Sequence, residues 1–197
     1  MIKLSRLFFK ILFIYFIIFP AYSNDAIVSV GGPEAKVTVK VFSSLTCPAC
    51  ANFHSKIFYK LKKEYIDKGL VKFEHHPFPL DLAALNAEII LRCNVDKDKR
   101  FVLLSKIYEK QREWAVGSDI NKINDSIKKI GLEVNLKNEQ MDKCLKSDEY
   151  QDEILNLRIE AQRKYKIEST PTIFIDEKLY KGKINYDQFK KSIEKKL

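Results

Sequence analysis

The sequence predicts an α/β protein whose sheet is interrupted by a long all-helical insert, and three observations predict it. An alternating β-branched run, Val37 to Phe42, passes through a polar turn into Cys47-Pro48-Ala49-Cys50 at the start of a helix. From Asp81 to about Tyr165 the apolar period becomes helical and stays so. Ser169-Thr170-Pro171-Thr172 then enters a short apolar strand, Ile173-Phe174-Ile175. The 197 residues fit one domain, or one domain with a sizeable insert, and can bury a full core. A hydrophobic content of 46% with 31% charged residues excludes a disordered chain.

In order along the chain, Lys3 and Arg6 precede an apolar run from Leu7 to Phe19, broken by Lys10, and then Pro20-Ala21-Tyr22-Ser23. Charged, apolar and small-residue regions in that order read as a secretory signal, with cleavage expected after Ser23; the alternative is an uncleaved membrane anchor. The run is short for the ~20 residues that a membrane span needs. Ala26 to Val30 reads as an edge strand closed by Gly31-Gly32-Pro33, and Val37 to Phe42 as the central strand. Phe53, Ile57, Leu61 and Tyr65 recur every four residues and mark the helix behind Cys50, which Gly69 stops. Leu70 to His75 alternates as a parallel strand, ended by Pro77 and Pro79. The insert is read as helices over 82–95, 100–114, 118–130 (capped by Ser118, stopped by Gly131), 136–145 and 147–165. A hairpin around Glu177-Lys178 and a last helix capped by Asn185, buried through Tyr186, Phe189 and Ile193, complete the order.

Two cysteines with two residues between them, at a helix start directly after a strand, point to a redox-active dithiol. The unpaired amides and the dipole of a helix N-terminus stabilise a thiolate, so Cys47 is expected to have a depressed pKa and to be the attacking sulfur. Cys50, one turn further in, is shielded and resolves a mixed disulfide. Pro48 suits the first turn, where its missing N–H costs nothing.

With Cys-Pro-Ala-Cys early and Thr170-Pro171 before a late strand, the chain resembles the thioredoxin superfamily, and within it the DsbA-like thiol:disulfide oxidoreductases. The resemblance covers nearly the whole chain after Ser23. It implies a thioredoxin fold, a central mixed sheet flanked by helices, with parts at 24–80 and 166–197 and the helical insert at 81–165. It also implies a cis Pro171 against the Cys47–Cys50 disulfide, with Thr170 and Pro171 presenting backbone to an extended substrate. The implied activity is introduction of disulfides into other exported proteins in the periplasm. Reduced cysteine-containing proteins are the implied substrates and a membrane-bound reoxidase the implied partner, with no cofactor and a monomeric enzyme. Ala49 departs from the family's Cys-Pro-His-Cys pattern and removes a cationic neighbour of the dithiol.

Other readings of the same residues stay open. Cys47, Cys50 and His54 have zinc-compatible spacing, but no second Cys-x-x-Cys follows, and His54 otherwise reads as a half-exposed helix residue. His75 and His76 point to opposite sides of a strand, one packed and one solvated. Glu74 is either a buried proton acceptor or a surface residue. Cys93 and Cys144, in the insert, are free buried thiols or a bridge, and export favours the bridge. Some DsbA-like proteins carry such a second pair. Loss of Lys3, Arg6 and Lys10 takes the formal charge from +9 to +6, and the remaining lysines alternate with acids on helices. That describes a solvated surface and no nucleic-acid partner. A disulfide isomerase or reductase, and a non-redox binding module on the same fold, are the alternative functions.

Overall fold

The computed structural model describes residues 27–197, so the expected signal segment at 1–23 lies outside the described residues. Five strands form one mixed sheet in the order β1-β3-β2-β4-β5. β2 (Val37–Ser43) is central, parallel to β3 (Val71–Pro77) on one side and antiparallel to β4 (Thr172–Ile175) on the other. β1 (Val28–Val30) and β5 (Lys178–Leu179) are the short antiparallel edges. β2 sits centrally because it is apolar on both faces: Val37, Val39 and Val41 are buried on one side, and Phe42 on the other.

The two faces carry separate cores. Val39, Val41, Phe73, Ile173 and Ile175 pack into the larger cluster with the helix after Cys47, the insert and the C-terminal helix. Phe42, Phe78, Phe174, Ala161 and Ile167 form the smaller one. Helices on both faces of a sheet with this connectivity are the thioredoxin fold, and six helices intervene between β3 and β4 as the expected insert.

The helix after Cys47 has an unusual course. It begins as α1 (Pro48–Phe53), passes through a π-helical turn at His54–Phe58, resumes as α2 (Tyr59–Leu61) and widens again at Lys62–Ile66. A strict four-residue apolar spacing drifts by about 40° per step on a 3.6-residue helix. The wider turns absorb that drift, and Phe53, Ile57, Leu61 and Tyr65 are all buried. Gly69, at φ 72, ends the run as expected.

The insert comprises α3 (Leu82–Arg92), α4 (Lys97–Glu109), α5 (Gln111–Trp114), α6 (Ile120–Leu132), α7 (Asn138–Leu145) and α8 (Asp148–Tyr165), before the C-terminal α9 (Tyr186–Glu194). Several boundaries differ from the sequence reading for local reasons. α4 starts earlier because the Asp96 carboxylate caps the amides of Asp98 and Lys99, and it breaks at Lys110 before α5. Asp119, and not Ser118, caps α6. Gly131 does not stop α6: it lies inside the helix, where an added Cβ would overlap Met141 Sδ of α7. β3 runs on to Pro77, whose missing N–H is harmless at the last register position, opposite Ser43. The hairpin turns one residue early. Asp176 adopts φ 55, its N–H donates to Thr38 O at 2.7 Å, and its carboxylate accepts from Thr38 N at 3.1 Å.

Candidate active site

Central β2 ends at Ser43, where the turn Ser44-Leu45-Thr46 redirects the chain into α1. The Ser44 and Thr46 hydroxyls are 3.1 Å apart, and Thr46 donates to the Asp81 carboxylate at 2.7 Å, which ties the turn to the start of α3. Cys47 is the extended residue before α1, with Pro48 in the first turn. Its carbonyl accepts from Cys50 N and Ala51 N at 3.1 and 3.2 Å. Cys47 is half-buried and Cys50 is 2% exposed, and both are free thiols.

This placement separates the two sulfurs chemically. The Cys47 pKa falls to about 5, chiefly through a hydrogen bond from Cys50. Burial opposes the shift, and the Thr170 side chain and the amides of Cys50 and Ala49 assist it. At neutral pH Cys47 is therefore a thiolate. Cys50 moves the other way, pushed far up by burial first and by the neighbouring Cys47 second. One sulfur is poised to attack or be attacked, and the other holds its proton.

Sheet register brings in the distant segment. Phe42 pairs with Thr172 across the antiparallel β2–β4 ladder, so the entry to β4 meets the exit from β2. The Thr170–Pro171 peptide bond is cis, and Cys47 Sγ lies 3.3 Å from Thr170 O. The Thr170 hydroxyl is buried without a well-aligned hydrogen bond among the described residues, so it favours the Cys47 thiolate by proximity alone. Beside Pro171 a cleft of about 310 Å³ is lined by Tyr165, Ser169, Thr172, Tyr180 and Ile184.

The sequence reading missed Gln111. From α5 its Nε2 donates to Leu45 O at 2.8 Å and to Cys47 O at 3.0 Å, so the insert grips the turn that carries the dithiol. The only trace of this in the sequence is a polar residue in an otherwise apolar helical register. His54 is 3% exposed, not half-exposed. Its ring stacks on Phe58 and Tyr108, its Nε2 is 3.2 Å from Ser105 Oγ, and burial holds its pKa down to about 3. Among the described residues no group of His, Cys, Asp or Glu could hold a metal ion.

Glu74 does not lie under the dithiol. It alternates out of step with Val71, Phe73 and His75, which face the same core as Cys50. It is held by Lys72 at 2.7 Å and His76 at 3.0 Å, with its pKa down to about 2 although burial opposes that shift. Of the two adjacent histidines, His75 is buried against Glu88 at 2.7 Å, and His76 is half-buried against Phe42. Cys93, at the end of α3, and Cys144 of α7 are joined by a disulfide across 51 residues, with Cα atoms 6.0 Å apart. Gln140 Nε2 donates to Cys93 O at 2.7 Å beside it.

Comparison with known proteins adds independent observations. The family model described as thioredoxin matches residues 23–195. The disulfide bond formation protein D of Bacillus subtilis (strain 168) is 34% identical over 179 residues, spanning 85% of this chain and 75% of that protein. A putative protein-disulfide oxidoreductase of Rickettsia bellii is 29% identical over 153 residues, 78% of this chain and 57% of that protein. Among solved structures, α-DsbA1 of Wolbachia pipientis superposes with a TM-score of 0.78 at 26% identity, covering 86% of this chain and 89% of that one. Oxidised BdbD of Bacillus subtilis superposes at 0.71 with 27% identity, covering 87% and 92%.

Proposed function

The chain belongs to the DsbA-like thiol:disulfide oxidoreductases of the thioredoxin superfamily, and on that footing we propose that Cys47 and Cys50 are its redox couple. It is a disulfide oxidoreductase, working in the oxidising direction on exported proteins. A substrate thiolate attacks the Cys47–Cys50 disulfide at Cys47, and Cys50 leaves. A second thiolate of the substrate then attacks its own sulfur in the mixed disulfide, and Cys47 leaves as a thiolate. The observation that carries this assignment is the contrast between the sulfurs: Cys47 is half-exposed with a pKa of about 5, while Cys50 is buried with its pKa raised. A strong oxidant needs a stabilised thiolate in its reduced form, and here neighbouring hydrogen bonds supply it where Ala49 cannot.

In this reading Thr170 and Pro171 bind the substrate, as an extended segment laid along their backbone between Cys47 and the cleft beside Pro171. Cys93 and Cys144 are a structural bridge, not an exchanging pair. Residues 1–23 act as a cleaved export signal, and the mature enzyme works as a periplasmic monomer with a membrane-bound reoxidase. The working division of the chain is 24–80, 81–165 and 166–197. The deciding experiment is a redox titration of the mature protein against glutathione, read by alkylation and mass. The expected result is one exchangeable couple at Cys47–Cys50. No exchange at these two cysteines would instead indicate a non-redox binding module.

A further inference from the structure

A second cleft, of about 590 Å³, opens beside the dithiol. Pro48, Asn52 and Lys56 stand on one wall, along the helix behind Cys47, and Glu109, Gln111 and Arg112 of the insert stand on the other. It shares no lining residue with the cleft beside Pro171. Cys47 adjoins both: its sulfur lies 3.3 Å from Thr170 O, and its peptide bond leads into Pro48. Gln111 fixes that relation, because the same residue that lines this cleft donates from Nε2 to Cys47 O at 3.0 Å.

The floor of this cleft is aromatic and its rim is charged. The His54 ring stacks on Tyr108 with centroids 5.0 Å apart and meets Tyr59 edge-on at 5.3 Å, and all three residues line the cleft. Tyr59 is 45% exposed, so its ring is open to a ligand. Burial keeps His54 neutral at working pH, so the charge comes from Lys56, Arg112 and Glu109, two cations against one carboxylate. Lys56 and Arg112 are exposed and stand in no ion pair among the described residues. An acidic segment laid in the cleft would give both cations a partner, and a basic one would be repelled by both.

Resting on the dithiol reading above and extending it to the class of substrate, we propose that this cleft receives one flank of the substrate's reactive cysteine, and that Lys56 and Arg112 select flanks carrying Asp or Glu. The occupant follows from continuity with Cys47: a chain held at that sulfur and along Thr170 and Pro171 has this cleft at its other end. Lys56 and Arg112 are specificity-determining residues, and they act on capture of the substrate, not on chemistry at sulfur. Ion pairs at so exposed a rim contribute modestly and weaken with salt. Glu109 opposes the two cations and tempers the preference.

The test uses the oxidised mature protein and reduced two-cysteine peptides that carry Asp, Ser or Lys on one flank of the attacking cysteine, with a second series varied on the other flank. Each oxidation rate is divided by that peptide's rate with hydroxyethyl disulfide, which removes the effect of the flanking charge on the peptide thiol itself. In one series the Asp peptide is expected to react about fivefold faster than the Lys peptide at low salt, and the gap should close toward ~1 M salt. The double variant Lys56→Glu/Arg112→Glu should invert that order, and Glu109→Gln should widen the gap. Two peptides are compared on one protein sample, so a general loss of activity or stability cancels. Amide NMR of the unsubstituted protein reads binding without chemistry, using an acidic peptide with serine for cysteine, and shifts are expected at Asn52, Ser55 and Arg112. Oxidation of no peptide would reject the dithiol reading, and the NMR arm stays readable in that case. Equal normalised rates, or an order that charge reversal leaves in place, would overturn this inference alone. Shifts confined to the cleft beside Pro171 would also overturn it, as would shifts that appear on concentrating the protein without peptide, which would make the cleft a contact between copies.

Discussion

Two thiols three residues apart end up with opposite acidities because one stands before the first turn of a helix and the other inside the core. Replacement of Cys47 by alanine should abolish oxidation of a reduced model peptide. Replacement of Cys50 by alanine should trap mixed disulfides through Cys47. Non-reducing gels with mass mapping check this, and partners trapped by Cys47→Ala instead would reverse the two roles. The alkylation rate of Cys47 in the dithiol form should titrate near pH 5. The sign for stability follows from linkage. A thiol whose pKa is depressed on folding stabilises the folded dithiol form above its ordinary pKa of 9.0, and that contribution is lost as pH falls toward about 5. Cys50, with its pKa raised, contributes in the opposite sense: its share is complete below 9.0 and is lost as pH climbs beyond it. Urea midpoints of the reduced protein should therefore rise between pH 5 and 9, and a flat profile would argue against the depressed Cys47.

Elements act here by gripping one another at single side chains. Gln111 carries α5 onto the active-site turn through two carbonyls, and Gln111→Ala leaves the buried Leu45 carbonyl without that donor. The expected loss is ~1–3 kcal/mol, with peptide oxidation falling as the turn loosens. Urea unfolding and peptide oxidation rates measure the two effects. The α6–α7 contact is tighter still. Alanine normally favours a helix over glycine by about 1 kcal/mol. At Gly131, however, the new methyl would collide with Met141 Sδ, so Gly131→Ala should instead destabilise, by ~1–3 kcal/mol of overpacking. A stabilised Gly131→Ala in the same urea measurement would mean that α7 yields easily. The 2.7 Å contact between the His75 ring of β3 and the Glu88 carboxylate of α3 joins the sheet to the insert with both side chains buried. Glu88 also pairs with the buried Arg92 guanidinium at 2.7 Å, so neutralising the carboxylate in Glu88→Gln should cost ~3–5 kcal/mol by urea unfolding.

At the scale of the whole molecule the insert is both lid and brace. It closes over one face of the sheet, reaches the dithiol through Gln111, and is itself stapled by Cys93–Cys144. The staple closes a loop of 51 residues, for which the chain-entropy model gives about 4 kcal/mol at most. The double variant Cys93→Ser/Cys144→Ser should lose up to that much stability by denaturant unfolding while retaining most of its peptide oxidation rate. A larger fall in rate than in stability would mean that the bridge shapes the active site directly.

Local chemistry made much of this protein legible in its sequence. Alternation of valines wrote β2, the four-residue spacing of Phe53, Ile57, Leu61 and Tyr65 wrote the helix behind it, and Cys47-Pro48-Ala49-Cys50 at their junction marked the chemistry. These signals are short-range, carried by residues within a few positions of one another. What they could not carry is which distant side chains meet. Sheet register set Thr172 opposite Phe42 and brought Thr170 to Cys47, across a separation of 123 residues. Strand parity turned Glu74 away from the dithiol, and packing of the insert supplied Glu88 to the same core instead. Gln111 found the carbonyls of Leu45 and Cys47 only because α5 breaks from α4 at Lys110. Burial of His54 between aromatic rings likewise depends on two separate elements, the turn at His54–Phe58 and α4. The sequence by itself determined the elements and the two thiols at a helix start, because periodicity and helix-end chemistry are local. The tertiary structure alone decided the partners of that pair, because a buried polar group takes whichever neighbour the packed faces bring within hydrogen-bond reach.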